Sequence, residues 1–249
     1  MAKKTPFQVD ELKLLQGETI KINKHISVKN PTLGEIAKMG EQKYYSIINA
    51  LTVNPTAMKA VLFYEMGIDY SKISDFALFM MMLETYRDIK KDQFKMIIDG
   101  FFFDDMFIDK NKNDDFVLRH KDGWVIDEII YKKMVDALRS VHHLEEKIEL
   151  PGNEHTKKYL IERDQRRLER QKREKFKPYL SHLIKSLVNC SNFKYDFKTV
   201  FDLNIYAFFE SIYSINKLQN YNFVMTGVYS GMVQIKESTL QQAYWLARD

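Results

Sequence analysis

Apolar residues recur at helical spacing along most of the chain. Thr32 and Glu35 have the spacing of a capping box, and apolar positions on one helical face follow them as far as Leu51. Asn54-Pro55 and Asp127 give further start signals, each ahead of another apolar series. Because side chains three and four positions apart share one face of a helix, the pattern predicts a mainly α, multi-helix globular fold.

A period of two appears in two places. Near the N-terminus, Ile20, Ile22, Ile26 and Val28 are separated by polar residues, which predicts one or two short strands. Further on, β-prone runs at 116–120 and 124–126 flank Asp122-Gly123, a favourable turn pair. The fold is therefore expected to include a small β-hairpin near 116–126 and short N-terminal strands.

The strongest break in the pattern is at Pro151-Gly152-Asn153. We predict a weakly structured or β-prone segment at 1–29, an N-terminal helical subdomain at 30–150 that contains the hairpin, and a C-terminal helical subdomain at 151–249. The last subdomain begins with a long polar helix, roughly 155–175. Asp202 is expected to cap a later helix, and the pattern leaves segments 223–231 and 238–246 unassigned.

Composition narrows the class of protein. The chain has 249 residues, of which 45% are hydrophobic and 29% charged, a balance typical of globular proteins. Cys190 is the single cysteine, which fits a reducing compartment. The longest apolar run, 76–83, is far shorter than the roughly 20 residues that span a bilayer, and residues 1–10 lack the apolar stretch of a secretory signal. We expect a soluble, cytoplasmic protein without a membrane partner.

The segment 157–177 is the main candidate surface. It contains ten basic and four acidic residues, although the net charge of the whole chain is only +4. One interpretation is a solvated helix with i, i+4 pairs such as Glu162–Arg166 and Glu169–Arg173. The other two interpretations are a surface that binds an acidic protein partner and one that binds the phosphates of a nucleic acid. The candidate partner-binding residues are Arg163, Arg166, Arg167, Arg170 and Arg173.

Three consecutive methionines, Met80, Met81 and Met82, form a second candidate surface, because flexible thioether side chains adapt to different partners. Their position in an apolar run also suits the core. Asp109, Asn111 and Asn113 match the first ligand positions of a calcium loop, but Asp114 and His120 replace its required Gly and Glu. Phosphate-binding and zinc motifs do not occur in the sequence. We therefore predict that the chain has no catalytic, cofactor-binding or metal-binding residues, and that it is not an enzyme.

Several short phrases of the sequence taken together resemble a known family. They are 31–36 (PTLGEI), 41–45 (EQKYY), 67–76 (GIDYSKISDF), 151–160 (PGNEHTKKYL), 204–208 (NIYAF) and 227–231 (GVYSG). Over most of the chain, from about residue 30 onward, the sequence resembles those of tail assembly chaperone-like proteins of phages and prophages of Gram-positive bacteria. The family has no catalytic residues to transfer to this chain.

The resemblance implies a helper in the cytoplasm of the infected host. Such a protein is expected to keep the long tape-measure protein soluble and to help recruit tail-tube subunits around it. Two alternatives stay open. One is a nucleic-acid-binding regulatory or packaging accessory protein that uses the basic helix at 157–177. The other is a structural component of the virion.

Overall fold

The computed structural model describes residues 9–232, 234 and 236–246. Residues 1–8 of the segment predicted to be weakly structured lie outside this range. In the described part of the chain, helix is the most abundant type of secondary structure, which confirms the predicted mainly α fold. Its helices are α1 Glu11–Leu15, α2 Leu33–Met39, α3 Glu41–Thr52, α4 Lys59–Tyr64, α5 Asp75–Met81, α6 Leu83–Arg87, α7 Lys91–Lys95, α8 Glu128–His142, α9 Glu154–Arg173, α10 Leu180–Val188, α11 Ile205–Tyr229 and α12 Glu237–Ala243.

Two small antiparallel sheets accompany the helices. The strands are β1 Ile20–Lys21, β2 Ser27–Val28, β3 Ile98–Asp99, β4 Met106–Lys110, β5 Phe116–His120 and β6 Val125–Ile126. In the first sheet β2 lies between β1 and β3, with Val28 opposite both Ile20 and Ile98. In the second sheet β5 lies between β4 and β6. The predicted hairpin and N-terminal strands are therefore confirmed, and each belongs to a three-stranded sheet.

Local capping interactions begin several helices where the sequence predicts them. The Thr32 side chain accepts a hydrogen bond from Glu35 N, and the Glu35 carboxylate accepts one from Thr32 N at 2.8 Å, which completes the capping box. Asp127 Oδ1 accepts from Ile130 N at 2.8 Å at the start of α8. These contacts satisfy backbone N–H groups that have no partner inside the helix.

Two predicted helix boundaries are wrong. The helix expected to continue from the capping box to Leu51 is divided at Gly40, whose φ of 91° is incompatible with a helix, so α2 ends and α3 begins there. Asp202 does not cap α11, because it lies in a 3-10 turn, Thr199–Asp202. Asn204 is the cap: its Oδ1 accepts from Ala207 N at 2.9 Å, and its amide donates to Leu15 O at 3.0 Å.

One large hydrophobic core occupies the centre of the described chain. Helix α8 contributes Leu138 and Val141, which are fully buried, and residues of α2, α3, α10 and α11 pack in the same cluster. Ile184 of α10 and Phe208 of α11 thus share a core with elements that precede Pro151. The division at Pro151 stays a prediction, and both predicted subdomains contribute residues to this common core.

A smaller cluster attaches α9 to the body. Leu62, Tyr70, Leu78 and Ile161 are buried together, and they come from α4, the 3-10 turn Tyr70–Lys72, α5 and α9. Of the helices in the described part of the chain, none combines the length and the hydropathy needed to span a bilayer.

Candidate protein-interaction surface

Helix α9 is the long basic helix that the sequence predicts. Asn153 begins it, since Asn153 Oδ1 accepts a hydrogen bond from Thr156 N at 2.8 Å. Glu154 lies in the first turn and Arg170, Lys172 and Arg173 lie in the last, so the charges suit the helix dipole at both ends. The helix contains no glycine or proline over its 20 residues, which keeps it continuous.

One face of α9 docks on α4 and the turn that follows it. Ile161 is buried in the small cluster, and Asp164 is only 3% exposed. Asp164 Oδ2 accepts from Ala60 N at 3.3 Å, while Oδ1 accepts from Arg167 Nε at 2.9 Å and Nη2 at 2.6 Å. The buried carboxylate is therefore both neutralised and hydrogen-bonded, which makes its burial tolerable and fixes the position of α9.

Ion pairs extend this attachment. Lys157 Nζ lies 2.5 Å from Asp69 Oδ2 in the turn after α4. Burial raises the pKa of Asp69, but hydrogen bonds from Lys157 and Ser71 outweigh that effect and lower it to about 2. Glu149 lies between two cations, 2.9 Å from Lys59 and 2.5 Å from Arg163, and the hydrogen bond from Lys59 is the main reason that its pKa is lowered. These carboxylates therefore stay charged at neutral pH.

The opposite face of α9 carries four arginines in a row. Arg163, Arg166, Arg170 and Arg173, which we call the arginine stripe, follow Tyr159 at intervals of four, three, four and three residues. Since each residue turns the helix by about 100°, this spacing keeps them on one side, roughly opposite the docked Lys157, Ile161 and Asp164. All four arginines are exposed, and they line a shallow groove with Tyr159 and Glu169.

The charge of the stripe is neutralised only towards its N-terminal end. Arg163 pairs with Glu149, and Arg166 lies 3.6 Å from Glu162, as the sequence predicts. The predicted pair between Glu169 and Arg173 is absent from the described chain. Within that part of the chain, neither Arg170 nor Arg173 has a carboxylate within 4.0 Å. The last turn and a half of α9 therefore presents positive charge that remains available to a partner.

The exposed part of α9 is held at both ends. All residues from 169 to 179 are exposed, so the helix leaves the body after Leu168. The chain returns at Glu41, whose carboxylate accepts hydrogen bonds from Tyr179 N and Leu180 N, each at 2.6 Å, and from Ser181 N at 3.3 Å. Glu41 thus caps α10 from a distant helix, and the arginine stripe projects from two fixed attachments.

The remaining predicted site residues do not join the stripe. Arg167 is bound to the buried Asp164, so its role is to hold α9 in place. Met80 and Met82 are half-buried and pack against the large core, while Met81 is 40% exposed. The three methionines therefore point in different directions, and the structure does not assemble them into one surface.

Elsewhere, the described residues contain no group of three or more His, Cys, Asp or Glu side chains arranged to hold a metal ion. In the calcium-like loop, Asn111 Oδ1 accepts hydrogen bonds from Asn113 N at 2.8 Å and Asp115 N at 3.0 Å. This oxygen is used to close the turn between β4 and β5.

Four features of the surface were not identified from the sequence. They are Tyr159 in the groove, the docking role of Asp164, the cap that Glu41 provides to α10, and the exposed C-terminal hairpin described below. The spacing of Tyr159 and the four arginines at alternating steps of four and three residues is present in the sequence, and it predicts that they lie on one side of the helix. The contacts of Glu41 with the start of α10 and of Asp164 with Ala60 have no sequence signal, because these partners are far away along the chain.

Residues 170–248 match a family model described as YomV second domain. The match covers about a third of the chain, and it begins where α9 has already left the body. YomV is a Bacillus prophage gene, so the match points to a phage-derived protein family. No curated protein and no solved structure matches the chain.

Proposed function

We propose that this chain is a phage tail morphogenesis factor, a tail assembly chaperone of the host cytoplasm. In this role it keeps a tape-measure protein soluble and helps to bring tail-tube subunits to it. The match of residues 170–248 to a phage-derived family supports the phage context. The arginine stripe on α9 is the observation that carries the role in binding, because its last two arginines, Arg170 and Arg173, have no carboxylate partner in the described chain.

The geometry of the stripe favours a helical, acidic partner segment. The stripe runs along the axis of α9 for about 15 Å from Arg163 to Arg173. A second helix with acidic residues at the same alternation of three and four would place a carboxylate near each successive arginine. Arginine binds carboxylates with two parallel hydrogen bonds, which adds orientation to the attraction. An extended helical protein such as a tape measure offers this kind of segment.

A nucleic acid is the second candidate partner, and the same stripe is the reason to consider it. Phosphates also accept hydrogen bonds from arginine, and a row of cations lowers their repulsion. The groove along the stripe has one aromatic residue in its lining, Tyr159, at its N-terminal end, so stacking with successive bases has little support.

Co-expression with the tape-measure protein encoded in the same phage or prophage genome tests the proposal. We expect this chain to raise the soluble fraction of the tape measure and to co-purify with it. Reversal of three stripe charges, Arg166→Glu, Arg170→Glu and Arg173→Glu, should weaken the complex by about 3- to 150-fold, since exposed ion pairs contribute roughly 0.2–1 kcal/mol each.

The matched control is reversal of three exposed lysines outside α9, Lys24, Lys112 and Lys185, which changes the net charge by the same amount. Circular dichroism should show that both triple variants keep their helical content. A tape measure whose solubility is independent of this chain would refute the proposed function. Salt-sensitive DNA binding that only the stripe variant loses, without an effect on the tape measure, would favour the second candidate.

A further inference from the structure

The C-terminal end of the described chain is a helical hairpin that is almost free of charge. We call this region, α11 from Leu218 onward together with α12, Met232 and residues 244–246, the distal hairpin. The sequence has no charged residue from 218 to 235, although 29% of the whole chain is charged. The ring of Tyr221 packs against that of Tyr244 with their centroids 5.6 Å apart, which holds the end of α12 against α11.

Helix α11 extends beyond the core into which it packs. Ile205 and Phe208 are buried in the core, and Ile212 and Ile215 pack against it at the next turns of the same face. Steps of three and four residues carry this face on to Phe223 and Thr226. Phe223 is 74% exposed, so the face that is covered in the first half of the helix is uncovered in the second half.

The uncovered apolar surface is large. Tyr229 is 82% exposed, Met232 86% and Leu246 60%, and Tyr244 and Trp245 are each exposed by about two fifths. With Phe223 they offer on the order of 700 Å² of side-chain area, taking roughly 200 Å² for a complete aromatic side chain. These side chains are spread over the hairpin, and a stable interface covers about 800 Å² on each partner. The area therefore approaches what one side of a stable interface requires.

The chemistry of the distal hairpin suits a second copy of the same chain. In a twofold interface each surface meets itself, so a charge near the axis would face its own kind. The distal hairpin avoids this repulsion, because aromatic rings can pack on each other, and amides such as Gln219, Asn220 and Asn222 both donate and accept hydrogen bonds. The arginine stripe, in contrast, cannot pair with itself.

We propose that the distal hairpin is a homodimer interface, in which α11 and α12 of two copies pack together as four helices. This interface is separate from the arginine stripe, so a dimer would present two stripes. The inference depends on the surface of the hairpin and not on the identity of any tail protein.

Sedimentation velocity of the full chain over a range of concentrations tests the interface. We expect a reversible monomer–dimer equilibrium. Phe223→Glu and Tyr229→Glu should each raise the dimer dissociation constant by more than about 100-fold, since an unpaired carboxylate is strongly disfavoured inside an apolar interface. Both positions are exposed in the monomer, so the far-ultraviolet circular dichroism spectrum should not change.

Phe116→Glu is the matched control, because Phe116 is also a phenylalanine, is 56% exposed and lies on β5, outside the hairpin. This variant should dimerise like the wild type. A wild-type chain that remains monomeric at every concentration would overturn the proposal. So would a dimer that survives both hairpin substitutions, or one that Phe116→Glu disrupts equally.

Discussion

Two adjacent tyrosines on α3 allow a sharp test of how the core is stabilised. Tyr44 Oη lies 2.5 Å from Nε2 of His142 on α8, and Nδ1 of the same ring lies 2.7 Å from Leu138 O. A carbonyl oxygen can only accept a hydrogen bond, so Nδ1 must carry the proton and Nε2 must accept. The Tyr44 hydroxyl is therefore the donor, and it links α3 to α8 inside the core.

Burial keeps both partners neutral. It raises the pKa of Tyr44 well above its ordinary value, and it lowers the pKa of His142 to about 4. The neighbouring Tyr45 differs in one respect: its hydroxyl is also buried, but no described group lies within hydrogen-bonding distance of it. Tyr44 is fully buried and Tyr45 is partly buried on the same helix, and of the two hydroxyls only that of Tyr44 has a hydrogen-bond partner in the described chain.

We expect the same chemical change to have different effects at the two positions. Tyr44→Phe leaves Nε2 of His142 buried and unsatisfied, which should lower the free energy of unfolding by about 1–3 kcal/mol. Tyr45→Phe removes a hydroxyl that has no partner, so it should be neutral or stabilising by up to about 1 kcal/mol. In a chain of this size each kcal/mol moves the melting temperature by about 2–4 °C.

Urea unfolding at pH 7, followed by circular dichroism, measures both changes, and a thermal melt gives an independent comparison. The slope of unfolding free energy against urea should be the same in the three proteins, since the surface exposed on unfolding is nearly unchanged. Equal destabilisation by the two substitutions, or a larger loss from Tyr45→Phe, would refute the assignment of the hydrogen bond.

Three further predictions follow from individual contacts. Burial lowers the pKa of His142 from about 6.5 in the unfolded chain to about 4 in the folded chain, so its contribution of about 3 kcal/mol to the free energy of unfolding is present above pH 6.5 and is lost as the pH falls to 4. Urea unfolding at pH 7 and pH 4.5 should therefore show a smaller decrease in the free energy of unfolding for His142→Gln than for the wild type. Asp164→Ala should cost about 1–3 kcal/mol in unfolding free energy and speed protease cleavage within α9, and unchanged cleavage would contradict the docking role of this carboxylate. Gly100→Ala should destabilise the chain far more than Gly123→Ala by thermal melting: both have positive φ, but a Cβ at position 100 would lie 1.7 Å from a backbone carbonyl, whereas position 123 has open space.

The arginine stripe shows how far the sequence leads towards a surface. The basic segment and its five arginines are evident without a structure, and helical spacing alone puts four of them on one side. The same spacing takes Arg167 off this row, and only the structure shows that its partner is Asp164, which is buried against α4. The free positive charge at Arg170 and Arg173 likewise depends on where distant acids lie.

The sequence by itself determined the features that depend on neighbours along the chain. The capping box at Thr32, the cap at Asp127 and the hairpin around Asp122-Gly123 each need only contacts within a few residues. Those contacts form in the same way whatever the rest of the fold does, so local pattern was sufficient. The mainly α class follows from the same short-range periodicity.

The tertiary structure decided the features that depend on distant partners. Asn204, which caps α11 in place of Asp202, also donates from its amide to Leu15 O, across most of the length of the chain. The distal half of α11 is exposed because the core ends before the helix does, although the same apolar pattern would describe a buried helix. Burial is a property of what lies opposite a face, and the residues of that face do not encode their neighbour's position.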